Sequence, residues 1–154
     1  MGLNILSKKL DSSRKVFNNI ILAVLDAHLY CGINDSVQKG NGAIKDIDVR
    51  RYFGNKEDEY EYFLIDIPET EWSMKVFEDK TFKKDEQSYY LLAGTDNVPS
   101  KLSYDFSLAY LRLCPRHLIS IYDHVFSLSD IEDIEKRGTY NDKWYHRFKK
   151  LDEY

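Results

Sequence analysis

Two cysteines, Cys31 and Cys114, are all this chain has, and they stand far apart in no C-x-x-C pair. That spacing excludes a disulfide framework and fits free thiols in a reducing compartment, or at most one disulfide. No stretch approaches the ~20 consecutive apolar residues of a membrane-spanning helix. The N-terminus carries Lys8 and Lys9 but not the order of charge, apolar core and small residues that marks a signal peptide. Gly2 meets the first demand of N-myristoylation, yet Leu6 stands where Ser or Thr is wanted and Ser7 comes one position late. The expectation is a cytoplasmic protein. Also lacking are a glycine-rich phosphate loop, a dinucleotide fingerprint, a zinc-protease helix and a nucleophile elbow. There is no cationic excess: 22 Lys and Arg against 26 Asp and Glu give a formal charge of −4. Phosphate neutralisation needs Lys and Arg gathered on a face, so general nucleic-acid binding is disfavoured, although a local basic face is compatible with the count.

What is present suits a single domain of 154 residues. A chain of this length buries roughly two-thirds of its unfolded surface and needs no covalent or metal staple. The 12 Tyr and 8 Phe exceed the needs of a minimal core. Some of these rings are available as surface contact residues, unless core filling absorbs them.

Along the chain, residues 12–30 carry Val16, Phe17, Ile20, Ile21, Val24, Leu25 and Leu29 at intervals of three and four. That spacing predicts an amphipathic helix, with Asp11 or Ser12 as N-cap and Gly32 as its stop. Small polar residues then predict a loop over 34–42. Strands are expected over 44–53, 59–67, 74–82 and 88–93, the first also admitting a helical pattern. A second helix is predicted over 103–113, ended by Pro115. The run 117–126 fits a strand or a short buried helix. Ser129 and Glu132 have capping-box spacing ahead of a short helix closed by Gly138. A last helix over 141–151 would turn Trp144, Phe148 and Leu151 to one side. These elements predict an α+β fold: an antiparallel sheet of about four strands packed against an N-terminal helix and C-terminal helices. The expected core is Val16, Phe17, Ile20, Ile21, Val24, Leu25, Phe63, Ile65, Val76, Leu91, Phe106, Leu111 and Ile121.

The stretch with most functional content is 57–72. Glu57, Asp58, Glu59, Glu61, Asp66, Glu69 and Glu71 place seven carboxylates there with no Lys or Arg, around an apolar, aromatic middle. Strand parity puts Glu59 and Glu61 on the face of Phe63 and Ile65, so these acids stay solvated only if the strand begins beyond the core. As a recognition face, Glu57, Asp58, Glu59, Glu61, Glu69 and Glu71 would steer and pair with a basic partner while Tyr60, Tyr62 and Trp72 supply contact area. As a solvated hairpin end, the same residues need no partner.

Other chemistry is thinly supported. His28 and Cys31 are three apart, but a structural zinc site wants two further ligands at metal spacing. His117, His124 and His146 complete the histidines, and a thiol-imidazole pair with Cys31 or Cys114 depends on proximity in space. Asp46, Asp48, Glu59 and Glu61 on paired strands would form a carboxylate set able to hold Mg²⁺ for phosphodiester cleavage. The basic-aromatic tail Lys143 to Lys150 suits a docked terminal helix, or contact with an acidic partner or RNA.

In size, acidity, tyrosine abundance and helix-plus-sheet plan, with residues 57–72 as local support, the chain resembles bacterial immunity proteins that neutralise polymorphic or contact-dependent toxins. The resemblance implies a non-enzymatic cytoplasmic inhibitor, without cofactor or metal. Its partner would be a cognate basic toxin domain such as a nuclease, and neither membrane nor nucleic acid is expected as a ligand. The alternative from another class is a metal-dependent nuclease or phosphodiesterase using the clustered carboxylates.

Overall fold

The computed structural model describes residues 2–33, 44–54, 59–68, 82–84 and 87–154. Its elements in order are β1 (Leu3–Ser7), α1 (Ser13–Asp26), β2 (Tyr30–Ile33), β3 (Ile44–Tyr52), β4 (Tyr60–Ile67), β5 (Phe82–Lys84) and β6 (Gln87–Thr95). There follow α2 (Ser100–Leu113), β7 (Leu118–Ile121), β8 (His124–Phe126), α3 (Leu128–Arg137) and two 3₁₀ turns, Trp144–Arg147 and Leu151–Glu153. The class is α+β, as composition and pattern imply. The sheet exceeds the expected four or so strands: the described strands form one path, β2-β3-β4-β6-β1-β7-β8, antiparallel throughout, with β5 paired to β6. Among the described residues no helix is long and apolar enough to cross a membrane.

Three of the additional strands come from segments whose pattern is too short or too uniform to read. β1 sits inside the sheet between β6 and β7, and all five of its residues are buried. With both faces covered it shows no alternation. Leu3 and Ile5 enter the main core while Leu6 enters a second cluster on the opposite face. The open segment 117–126 resolves into the hairpin β7-β8, with Tyr122 and Asp123 at φ 45° and 71° between Ile121 and His124. Paired positive φ values of this kind match the right-handed twist of a two-residue hairpin.

β2 arises because α1 ends early. The helix begins as expected, with Ser12 Oγ accepting the Lys15 amide at 3.3 Å and Val16, Ile20, Ala23 and Val24 buried. It stops at Asp26, since His28 adopts φ 55° and the Leu29 and His28 amides return to the Val24 and Leu25 carbonyls at 3.0 Å each. That is a Schellman closure with histidine in the left-handed position that glycine usually takes. Gly32 therefore lies inside β2 rather than stopping a helix, and Leu25 is 60% exposed, not core.

The helices cover one face of the sheet. α1 and α2 pack together there, with α3 against α2, over a core that includes Ile5, Ile20, Val49, Phe63, Ile65, Phe106, Leu111 and Ile121. Of the remaining expected core residues, Phe17 and Ile21 are partly buried and Leu91 joins the second cluster. Val76 and most of the strand predicted over 74–82 lie outside the described residues. The expected terminal helix over 141–151 is replaced by two turns. Trp144 is fully buried and edge-on to Phe126 at 4.9 Å, and the Val125 amide donates to the Lys149 carbonyl at 3.0 Å. The chain is thus drawn out along β8, forming a bridge between His124 and Lys150, and its carbonyls satisfy a sheet edge instead of a helix. The short helix α3 also starts earlier than expected, capped by Ser127 and Asp130, whose Oδ2 accepts the Ser127 amide at 2.8 Å.

Over β1, β6, β7 and β8 the face away from the helices is covered too: Leu6, Tyr89, Leu118 and Val125 pack with Leu91 and Leu151. Over β2, β3 and β4 no described element covers it, and Tyr30, Tyr60, Tyr62 and Leu64 stand exposed.

Candidate functional site

The pairing Tyr30↔Arg50, Arg50↔Tyr62, Tyr52↔Tyr60 and Asp48↔Leu64 places these residues on one face of β2-β3-β4. Directly opposed residues of an antiparallel pair share a face. The rings form a continuous ladder: Tyr30 meets Tyr52 at 4.9 Å, Tyr52 meets Tyr60 at 5.6 Å, and Tyr60 meets Tyr62 at 5.8 Å between centroids. Tyr30 is 61% exposed, Tyr62 43% and Tyr60 38%. A single surface tyrosine needs no explanation, but four in contact, bordered by exposed Leu64, make an ordered patch of the amphipathic kind that interfaces favour.

A fixed cation lies among the rings. Arg50 Nε donates to Asp48 Oδ2 at 2.7 Å, and the guanidinium sits 4.6 Å from the Tyr60 centroid. Asp48 is 5% exposed, so the pair is held against the sheet and not free to swing outward. The effect is to stiffen the ladder, since the arginine is restrained on one side by a carboxylate and on the other by a ring face.

Four of the expected contact residues fall on described positions. Tyr60 and Tyr62 belong to the ladder, and Glu59 is exposed just ahead of β4. β4 pairs with β6 only at Ile65↔Thr95 and Asp66↔Gly94, so its beginning does project past its neighbour. The Tyr62 carbonyl there is satisfied by Asn97 Nδ2 at 3.0 Å. Glu61 points the other way, toward α2. Arg51 lies 3.9 Å from its Oε1 and also pairs with Asp105, which Lys101 approaches to 3.2 Å. Burial, and behind it Asp105, raises the Glu61 carboxyl above its ordinary value, while Arg51 and a hydrogen bond from the Leu102 backbone oppose that rise. Leu102 is in the first turn of α2, whose N-cap residue Pro99 offers no side-chain acceptor. Glu61 supplies one from β4, which is a structural task. Glu57, Asp58, Glu69, Glu71 and Trp72 lie outside the described residues.

The carboxylates weighed as metal ligands are not brought together. Asp48 is on the open face with Arg50, Glu61 is on the helix face with Arg51, and the exposed Asp46 donates its amide to Asp66 Oδ1 at 2.9 Å. Among the described residues no three or more His, Cys, Asp or Glu are grouped to hold a metal ion. Cys31 is exposed on the edge strand β2, and burial, then Asp48, push its thiol up. Cys114 is likewise raised by burial, and His117 is lowered by burial, so this neighbouring pair is thiol and neutral imidazole, the inactive combination for a nucleophile and base. The Tyr110 hydroxyl binds His117 Nδ1 at 2.9 Å.

The sequence signals for Arg50, Tyr52 and Tyr30 were available only in part. Asp48, Arg50 and Tyr52 alternate within a predicted strand, but their partners across β2 and β4 set the ladder, and Tyr30 read as the end of a helix. Compared with family models, with curated proteins and with solved structures, the chain matches none.

Proposed function

We propose that this chain is a non-enzymatic binding protein that presents the open face of β2-β3-β4 to a basic protein partner, as a toxin-neutralising immunity protein would. The observation that carries the reading is the Tyr30-Tyr52-Tyr60-Tyr62 ladder with Arg50 held among its rings. A docking face gains when its rings are already ordered, because little side-chain entropy remains to be lost on association. Exposed Asp46, Glu59 and Asp66 border the face, and Glu57, Asp58, Glu69 and Glu71 flank β4 in sequence. Their charge favours a cationic partner and a salt-sensitive association rate.

Co-expression with the products of open reading frames adjacent to the gene tests it. One neighbour should arrest growth alone and be neutralised by this chain. Tyr60→Ala with Tyr62→Ala should abolish the rescue while leaving the melting transition within a few degrees. Charge reversal at Glu57, Asp58 and Glu59 should weaken the complex and its salt dependence. Absence of any toxic neighbour, or rescue that survives loss of both tyrosines, would remove the reading.

A further inference from the structure

We infer a second, independent binding site: the cleft between the β1–α1 and α2–β7 connections takes a small molecule bearing a di- or polyphosphate. The cleft has a volume of about 630 Å³ and is lined by Ser7, Lys8, Lys9, Asp11, Lys15, Arg116 and His117. That volume suits a small ligand. On a chain of net charge −4, four cations here face one carboxylate.

The carboxylate is already engaged. Asp11 Oδ1 accepts from Lys15 Nζ at 3.0 Å, and Asp11 Oδ2 lies 3.7 Å from His117 Nε2. Among the described residues no carboxylate pairs with Lys8, Lys9 or Arg116, all of them exposed; Lys8 instead lies 5.9 Å from the Tyr89 ring centroid. Three like charges with no described carboxylate paired to them repel one another and disfavour the folded state, a cost that a bound anion reduces.

The lining also offers a hydroxyl, that of Ser7. Ser7 is 4% exposed and its Oγ accepts the Lys9 amide at 3.1 Å, which leaves the hydroxyl proton for an acceptor in the cleft. That same bond shapes the connection so that Lys8 and Lys9 rise beside it. Across the cleft the His117 amide donates to the Cys114 carbonyl at 3.0 Å, closing the turn that carries Arg116. Short turns therefore fix both walls. Convergent Lys, Arg and Ser donors around a concavity match several oxyanion oxygens on one compact group. A long polynucleotide is disfavoured because the cations line a pocket and the chain as a whole carries a net charge of −4.

Isothermal titration of the full chain with inorganic pyrophosphate at low ionic strength tests the assignment. Saturable one-to-one binding is expected, stronger than for inorganic phosphate or sulfate. Lys9→Ala and Arg116→Ala should each weaken it roughly tenfold, the effect of one lost charged hydrogen bond. Lys136→Ala, an exposed cation on α3, should leave it unchanged, and so should Tyr60→Ala, which separates this site from the docking face. Three results would overturn the inference: no saturable heat, equal weakening by Lys136→Ala, or tight binding of a single-stranded oligothymidylate that pyrophosphate fails to displace.

Discussion

The open face of β2-β3-β4 and the cleft beside β1 are both charged surfaces on the same sheet, and they treat their charge in opposite ways. On the open face Arg50 is matched by Asp48, and on the helix side of the same strands Arg51 is matched by Glu61 and Asp105. What the face leaves to a partner is ring surface. In the cleft the rings recede and the cations are left over, with Asp11 committed to Lys15. The difference follows from secondary structure. A strand sets residues two apart on one face, as Asp48 and Arg50 of β3 are, and register sets Arg51 opposite Glu61, so the sheet pairs its own ions at fixed spacing. Connections such as residues 8–12 and 114–117 have no register, and their charges meet only what the turn happens to face.

The comparison breaks first at the core that both regions share. Phe106 of α2 is fully buried, edge-on to Phe63 of β4 at 5.4 Å and stacked on Tyr110 at 5.9 Å, and Tyr110 in turn bonds His117. Phe106→Ala should cost about 3–5 kcal/mol by urea denaturation, since a buried ring leaves a cavity that its neighbours only partly fill. Proteolysis should then become faster in both regions together. A loss under about 1 kcal/mol, far below the usual cost of truncating a buried ring, would mean that the face and the cleft rest on separate supports.

A smaller effect isolates the matched charge. Arg51→Ala leaves Glu61 and Asp105 facing each other without their shared cation, and a cost of about 1–3 kcal/mol is expected for the stranded acceptors. Glu61→Gln on that background should recover part of the loss, and failure to do so would show that Arg51 acts through packing of its stem.

How much of this was legible in the chain depends on the range of the forces involved. α1, α2 and β4 announce themselves because Val16, Ile20 and Val24, or Phe63, Ile65 and Ile67, repeat at the period of their own element, whereas β3 also admits a helical spacing. β1 gives no such signal, being buried on both faces, and the Schellman closure at His28 uses a residue that no composition rule marks as a terminator. The tail beyond Asn141 has helical spacing but obeys β8, a tertiary demand that overrides local pattern. The same limit governs the sites. Tyr60, Tyr62 and Glu59 could be selected from one strand; Glu61 was selected with them although parity set it on the face of Phe63 and Ile65, and that face is where it lies. Arg50, Tyr52 and Tyr30 become one ladder only through pairing, and the cations of the cleft come from sequence positions about a hundred residues apart, Lys8 and Lys9 against Arg116.

The least perturbing change reads the cleft through its histidine. His117 is faced by Tyr110 and Cys114 from the end of α2, by Asp11 from the β1–α1 connection and by Lys15 of α1, with Lys8, Lys9 and Arg116 around the opening. Burial first, reinforced by Lys15 and opposed by Asp11, holds its imidazole below the ordinary value of 6.5. The unfolded chain therefore binds this proton at a higher pH than the folded one. Stability from this residue is fully present above the unfolded value of 6.5 and declines as pH falls below it. His117→Gln keeps a hydrogen-bonding group for Tyr110 but removes the titration, so its stability should vary less between pH 7 and pH 5, checked by denaturant midpoints across that interval. An anion in the cleft favours the protonated imidazole and so brings its folded value back toward 6.5; saturating pyrophosphate should therefore make the wild-type decline between pH 7 and pH 5 shallower, by more than it changes the Gln variant's. The same acid-dependent loss in both proteins would place its origin in other groups and separate His117 from the cleft's electrostatics.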